Sequence, residues 1–207
     1  MKKPERIKPI YHPLTQQEIQ DTINQIEEQD NQNLARTLYL FGLRITEALQ
    51  LKQRDITITG PPNKQIYIAK AITLKNKKDP FRQPIAWQIG TEGELLQELK
   101  EYLDQIKPSD ALFNMSRQQA WHAFNKVKIT IDATTHKPRK QITVTRGLWP
   151  HYLRHCRASH LANKYFFGHQ ELQNYFGWAS PLTAGVYVRG SWEGLAKQGW
   201  KAITEED

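Results

Sequence analysis

Apolar positions along the first fifty residues recur with the spacing of helices. Thr15-Gln16-Gln17-Glu18 has the form of a capping box, in which the first and fourth side chains satisfy each other's backbone N–H groups, and behind it Ile19, Ile23 and Ile26 fall on one stripe. Leu34, Leu38 and Phe41 predict a second helix with Gly42 near its end or in a tight turn, and Ile45, Leu49 and Leu51 a third. The period then changes. Ile56-Thr57-Ile58, Ile66-Tyr67-Ile68, Ile72-Thr73-Leu74 and Ile85-Ala86-Trp87 are β-branched runs that predict short antiparallel strands, with Gly60-Pro61-Pro62-Asn63 and the basic Asn76-Lys77-Lys78-Asp79 as turns. Helical spacing returns at Leu95, Leu96, Leu99, Tyr102 and Leu103, and again behind Ser116-Arg117-Gln118-Gln119 with Trp121 and Phe124. Pro150 suits a first helical position and opens a helix to Asn163; Leu172 to Phe176 predicts a shorter one, and Trp192, Leu195 and Trp200 mark an amphipathic tail. The expected fold class is α+β, mainly helical, with a small antiparallel β-sheet. The expected organisation is a flexible N-terminal arm over 1–13, one domain over 14–190 and a tail over 191–207 that docks in cis or on a neighbouring protomer.

Charge narrows the class of partner. The 207 residues carry 29 Lys and Arg against 21 Asp and Glu, a net charge of +8. The excess is unevenly placed. Gln16 to Ala35 holds five acids and no Lys or Arg, whereas Lys64 to Arg82 holds six cations against Asp79 alone, and Ala133 to Gln170 holds seven cations and no acid. A basic face opposite an acidic one suits a polyanion, because neutralising phosphates releases counterions. A single cysteine, Cys156, excludes an internal disulfide framework and fits a reducing compartment. The charged N-terminus lacks a following apolar run and no stretch approaches a membrane span, so the expectation is a cytoplasmic protein without membrane partners.

Three short segments hold the candidate chemistry. In Gly42-Leu43-Arg44-Ile45-Thr46-Glu47, Arg44 and Glu47 are neighbours on one helical face and, taken alone, read as a surface ion pair. In Pro150-His151-Tyr152-Leu153-Arg154-His155, His151 and Arg154 share a face, and Arg154 has no carboxylate nearby in sequence, which leaves its guanidinium free to fork onto a phosphate. Tyr187 lies in Thr183-Ala184-Gly185-Val186-Tyr187-Val188-Arg189. His151, His155, Cys156, His160 and His169 raise the possibility of a zinc cluster, but Cys156 directly follows His155 and so points elsewhere on the helix; no metal is expected.

Together these segments resemble the tyrosine recombinases, the phage-integrase family of DNA strand-exchange enzymes. Gly42 to Glu47 is similar to the family's Gly-Leu-Arg-x-x-Glu box, and His151 to His155 to its His-x-Leu-Arg-His box, continued by Arg157-Ala158-Ser159-His160-Leu161-Ala162. Phe176-Gly177-Trp178 followed nine residues later by Tyr187 resembles the third box; Gly168-His169 stands eighteen residues from Tyr187 and does not fit. The likeness runs from about Thr15 to Arg189.

The resemblance implies a tyrosine-recombinase catalytic domain that cleaves and rejoins DNA through a covalent 3′-phosphotyrosine, without metal or cofactor. By it, Arg44 and Arg154 neutralise the phosphate, and His151 hydrogen-bonds it and assists proton movement. Tyr187 is the nucleophile, its ionised form favoured by the two cations. Trp178 replaces a commoner His as a hydrogen-bond donor, and Glu47 orients Arg44 or a neighbouring histidine. Lys75, in Lys75-Asn76-Lys77-Lys78, matches the family's hairpin lysine as general acid, with Lys77 and Lys78 as alternatives. Lys77, Lys78, Arg82, Lys137, Arg139, Lys140 and Arg146 are the expected DNA contacts. The implied partner is double-stranded DNA, with a homo-oligomer, a tetramer, on DNA and a monomer in solution left open. Only about fourteen residues precede the match, where the family usually adds a helical core-binding domain. That leaves a catalytic fragment or a single-domain enzyme like the fimbrial inversion recombinases. A topoisomerase-like nicking and religating enzyme and a catalytically silent DNA-binding module are the alternative functions.

Overall fold

The helix α2 (Gln29–Leu40) is the element against which the others pack. Leu34, Ala35, Leu38, Tyr39 and Leu40 are completely buried, and Asn31, Asn33, Arg36 and Thr37 are buried beside them, so this helix has almost no wet face. It lies against α4 (Gly90–Leu103) and α6 (Pro150–Asn163), and it also touches α1 (Gln16–Asn24), α3 (Ile45–Ala48) and α5 (Arg117–Lys126). The computed structural model describes residues 10–72, 81–135 and 139–188.

The expected capping box opens α1: the Thr15 hydroxyl accepts the Glu18 N–H, and the Glu18 carboxylate accepts the Thr15 N–H at 2.7 Å. Ser116 and Gln119 do the same for α5. Pro150 is the first residue of α6, where its missing N–H leaves nothing unsatisfied.

The strands make three small antiparallel sheets among the described residues rather than the one expected. β2 (Ile56–Thr59), β3 (Ile66–Ala69) and β6 (Ile85–Trp87) form the first in the order β2-β3-β6, with Thr57 opposite Ile68 and Tyr67 opposite Ala86. β4 (Ala71–Ile72) pairs with β5 (Phe81–Arg82). The third, in the order β1-β7-β8, joins β1 (Ile10–Tyr11), β7 (Lys128–Thr134) and β8 (Gln141–Gly147). The β7–β8 hairpin was not expected. Its first strand alternates Ile129, Ile131 and Ala133 inward with Lys128, Thr130 and Asp132 outward, while β8 has no fully buried residue before Gly147.

Two boundaries also move. Ile10 and Tyr11, expected within a flexible arm, pair with Thr134 and Ala133, and the His12 N–H bonds the Asp132 carbonyl at 2.8 Å. The short helix expected over Leu172 to Phe176 starts three residues earlier, as α7 (His169–Phe176). Beyond α7 a 3-10 turn, Pro181–Val186, leads to Tyr187. The expected tail over 191–207 lies outside the described residues.

A buried ion pair locks α4 to α6. Arg157 and Glu92 are both fully buried and meet bidentately at 2.7 and 3.0 Å. Tyr165 donates to the same carboxylate at 2.9 Å, and the Trp87 N–H adds another bond, so Glu92 is saturated. A pair this deep is tolerable because further hydrogen bonds satisfy the Glu92 oxygens and most of the Arg157 donors. Arg157 also bonds the Ile85 carbonyl and the Tyr175 hydroxyl, which ties α7 into the same knot.

Candidate active site

The first box turns on Gly42. After α2 the chain reverses with Gly42 at φ +56°, a conformation that favours glycine, and a Cβ there would come within 2.3 Å of the Phe176 ring. That turn aims the Gly42 carbonyl at two guanidinium groups, those of Arg154 and Arg82. Arg44 then caps α3, and Glu47, three residues on, takes both its backbone N–H at 2.8 Å and its Nη1 at 2.6 Å.

Glu47 is the centre of the cluster. Besides Arg44 it receives Arg82 Nη2 at 2.6 Å, and Arg154 Nη1 lies 3.7 Å away. Burial alone would raise its pKa; Arg82, the Arg44 N–H and Arg154 outweigh that and hold the carboxyl below its ordinary value. Three guanidinium groups thus converge on one carboxylate, and two of them, Arg82 and Arg154, do so in a nearly dry site. Arg154 is itself buried, and burial first, then the like charges of Arg82 and Arg44, push its pKa down to about 9, so it remains charged at neutral pH.

Two expectations about these arginines need correcting. Arg154 has no acid near it in sequence, but the fold supplies Glu47, and the carbonyls of Gly42 and Phe176 brace its fork, the latter at 2.9 Å. Its side chain also lies over the Phe176 ring. Arg82 is not an open contact for DNA: it is buried, with its guanidinium on Glu47, the Gly42 carbonyl and the Tyr175 carbonyl at 2.7 Å. It holds the cluster together from inside.

Arg44 is only partly buried and opens onto a cleft of about 710 Å³ shared with His151, Trp149, Arg117 and Trp121. His151 is exposed at the first turn of α6 and lines this cleft. Arg44, His151 and Arg154 are thus brought into one neighbourhood from residues more than a hundred positions apart.

Tyr187, which follows the 3-10 turn, meets α6 one turn beyond His151. Its hydroxyl is 3.3 Å from His155 Nδ1, and its ring stacks on Trp178 at 5.5 Å with an 11° tilt. Trp178 in turn stacks on Phe176. Trp178 therefore supports the Tyr187 ring. The expected acidification of Tyr187 by nearby cations is outweighed: Arg154 lowers its pKa, but burial dominates and the net direction is upward.

Lys75, Lys77, Lys78 and Lys137 lie outside the described residues. Arg139 and Lys140 are exposed just ahead of β8. Arg146 is exposed too, but its guanidinium stacks 3.8 Å from the Trp149 ring centroid and donates to the Tyr11 hydroxyl at 3.0 Å. No group of three metal-binding side chains exists among the described residues, nor a helix long and apolar enough to cross a membrane.

His155 is the site residue that sequence reasoning passed over. The signal was present: it ends the second box and stands four residues from His151, on the same face of the helix. Arg82 carried no local signal of burial, since its partner Glu47 is 35 residues away.

The comparisons with known proteins agree with this picture. Two Sinorhizobium fredii proteins that carry provisional integrase/recombinase names are similar in sequence. One, y4eF, is 27% identical over 160 residues, covering 77% of this chain and 56% of that protein. The other, y4qK, is 29% identical over 163 residues, covering 77% of this chain and 46% of that protein. The chain thus spans about half the length of these relatives. Among solved structures, the XerH site-specific recombinase bound to its difH substrate superposes with a TM-score of 0.60 at 21% identity, covering 95% of this chain and 55% of that one. The XerA recombinase follows at 0.58 and 19%, covering 93% and 65%. These share the fold. With the Phage integrase family matching residues 12–192, this chain belongs to the phage integrases, the tyrosine recombinases, a family of enzymes that cleave and rejoin DNA.

Proposed function

We propose that this chain is the catalytic domain of a site-specific DNA recombinase that cuts and rejoins a strand through a covalent 3′-phosphotyrosine on Tyr187. The observation that carries the reading is the clustering of guanidinium groups: Arg44, Arg82 and Arg154 gathered around the carboxylate of Glu47, beside a cleft lined by His151. A backbone phosphodiester, with one negative charge of its own and more developing in the transition state, is the ligand such a site suits.

In the proposed reaction the Tyr187 oxygen attacks phosphorus in line, the bond to the 5′ oxygen breaks, and the 3′ phosphate remains on the tyrosine. Charge grows on the non-bridging oxygens as the five-coordinate state forms. Arg44 faces them from the cleft, and Arg154, held by two carbonyls, adds its charge from inside the cluster. His151 donates a hydrogen bond to one oxygen. The leaving 5′ oxygen takes a proton from Lys75, with Lys77 or Lys78 as the alternative acids. Rejoining is the same path reversed by a 5′-hydroxyl.

Double-stranded DNA is the proposed partner, and a tetramer on DNA the proposed active assembly. XerH was solved with its difH substrate and the Tn1549 transposon integrase, at a TM-score of 0.52, with transposon right-end DNA. Arg139, Lys140 and the outer face of the β7–β8 hairpin are the proposed backbone contacts.

The test is a duplex nicked near its cleavage site, so that the cut strand diffuses away and the adduct accumulates. Wild-type protein is expected to become covalently joined to DNA, and Tyr187→Phe to bind without joining. Binding with no adduct from wild type points to a silent DNA-binding module. Relaxed circles without recombinant junctions point to topoisomerase-like activity.

A further inference from the structure

His155 is held between the nucleophile and the N-terminal segment. Its Nε2 lies 2.8 Å from the Tyr11 carbonyl oxygen, and its Nδ1 lies 3.3 Å from the Tyr187 hydroxyl. A carbonyl has no hydrogen to give, so Nε2 carries the ring hydrogen. In the neutral ring Nδ1 is then a bare lone pair, and the Tyr187 hydroxyl is the donor. Tyr11 and His12 face this ring from the N-terminal segment, Tyr187 from the end of the 3-10 turn, and Tyr152 stacks beside it on α6. Burial and the nearby His12 favour the neutral ring.

The same wiring recurs one step along α6. His160 Nε2 bonds the Leu14 carbonyl at 2.8 Å, and the Tyr39 hydroxyl meets its Nδ1 at 2.8 Å. Two histidines thus lace the N-terminal segment to the helix. They differ in what the tyrosine can do next: Tyr39 is sealed in the core, whereas Tyr187 is half-buried and borders a cavity of about 160 Å³ with Tyr11, His12 and His155.

We propose that His155 is the proton acceptor for Tyr187 and that the Tyr11 carbonyl, fixed by the pairing of β1 with β7, sets its tautomer. The inference rests on the recombinase reading. As Tyr187 attacks, its phenolic proton passes to His155 Nδ1, which becomes an imidazolium still bonded to Tyr11 through Nε2. The phenolate electron pair forms the bond to phosphorus while the bond to the 5′ oxygen breaks and that oxygen is protonated from the acid side, by the hairpin lysine. On rejoining, the bond from phosphorus to Tyr187 breaks and His155 returns the proton.

Two measurements test this on the full chain. With ¹⁵N-labelled histidine, the His155 ring, assigned by its disappearance in His155→Asn, should show the Nε2-protonated tautomer at neutral pH, with Nδ1 shifting in Tyr187→Phe; an Nδ1-protonated ring overturns the proposal. In single-turnover adduct formation on the nicked duplex, His155→Phe should be slower by about 10²-fold or more with DNA binding unchanged. His155→Asn places an amide oxygen where Nδ1 stood; it can accept the Tyr187 hydrogen bond but not hold its proton, so it should fall well below wild type yet exceed His155→Gln, which reaches towards Tyr11 instead. A wild-type or faster rate for His155→Phe, or His155→Gln outperforming His155→Asn, defeats the idea. If His155→Phe does not fold, the Asn and Gln comparison and the tautomer decide. If wild type gives no adduct at all, the recombinase reading fails, and the tautomer alone decides whether His155 accepts from Tyr187.

Discussion

Glu47 shows how one side chain sets the state of a whole site. It is buried, yet three guanidinium groups and a backbone N–H keep it ionised. Its pKa in the folded chain is below the ordinary 4.5, so its contribution to stability is complete above that pH and is lost as pH falls through the lower folded value. Glu47→Gln leaves Arg82 and Arg154 buried without their counter-charge and is expected to destabilise the fold by about 3–5 kcal/mol in urea unfolding; a loss under about 1 kcal/mol means that the carbonyls alone hold the arginines. His160 titrates in another range. Burial lowers its pKa from 6.5 to about 4, so the unfolded chain binds the proton more readily and stability is lost as pH falls from 6.5 towards 4. Melting temperatures across that range should decline in wild type and decline less in His160→Gln, which removes the titrating ring. The pairing of Arg44 with Glu47 was legible from their spacing. The claim of Arg82 on the same carboxylate was not, because only the folded β5 brings it there.

Among the elements, the turn between α2 and α3 is the most constrained. Gly42→Ala forces a side chain into a positive-φ position and against Phe176, and should cost about 2–4 kcal/mol. Since the Gly42 carbonyl also braces Arg154 and Arg82, adduct formation should suffer more than DNA binding; equal losses in the two would show that the turn serves folding alone. Gly147 makes a second tight approach: a Cβ there would lie 2.5 Å from the Asn125 backbone oxygen, where β8 hands over to α6. Helices were legible because their apolar stripes repeat and their caps have a chemistry of their own, as at Thr15 and Ser116. The β7–β8 hairpin was overlooked for the opposite reason. Both strands alternate, but β8 only half-buries Ile142 and Val144, and the cations around it drew attention to charge instead.

For the whole molecule the decisive property is the excess of positive charge and where it is placed. If this basic chain neutralises about six or more phosphates, DNA affinity should fall by about 10³ or more between 50 and 200 mM salt. Replacing Arg139 and Lys140 together by Ala should flatten the slope of log affinity against log salt by about two. An unchanged slope would place the DNA elsewhere on the surface. The amino-acid pattern by itself determined the mainly helical class, the three boxes and the identity of the polar residues worth watching, since periodicity, capping and box spacing are local. The tertiary structure alone decided which arginines face the cleft and which are braced inside, and which edge of His155 meets Tyr187. Those outcomes depend on burial and on partners far apart in the chain, such as Gly42 with Arg154 and Tyr11 with His155, and local sequence encodes neither.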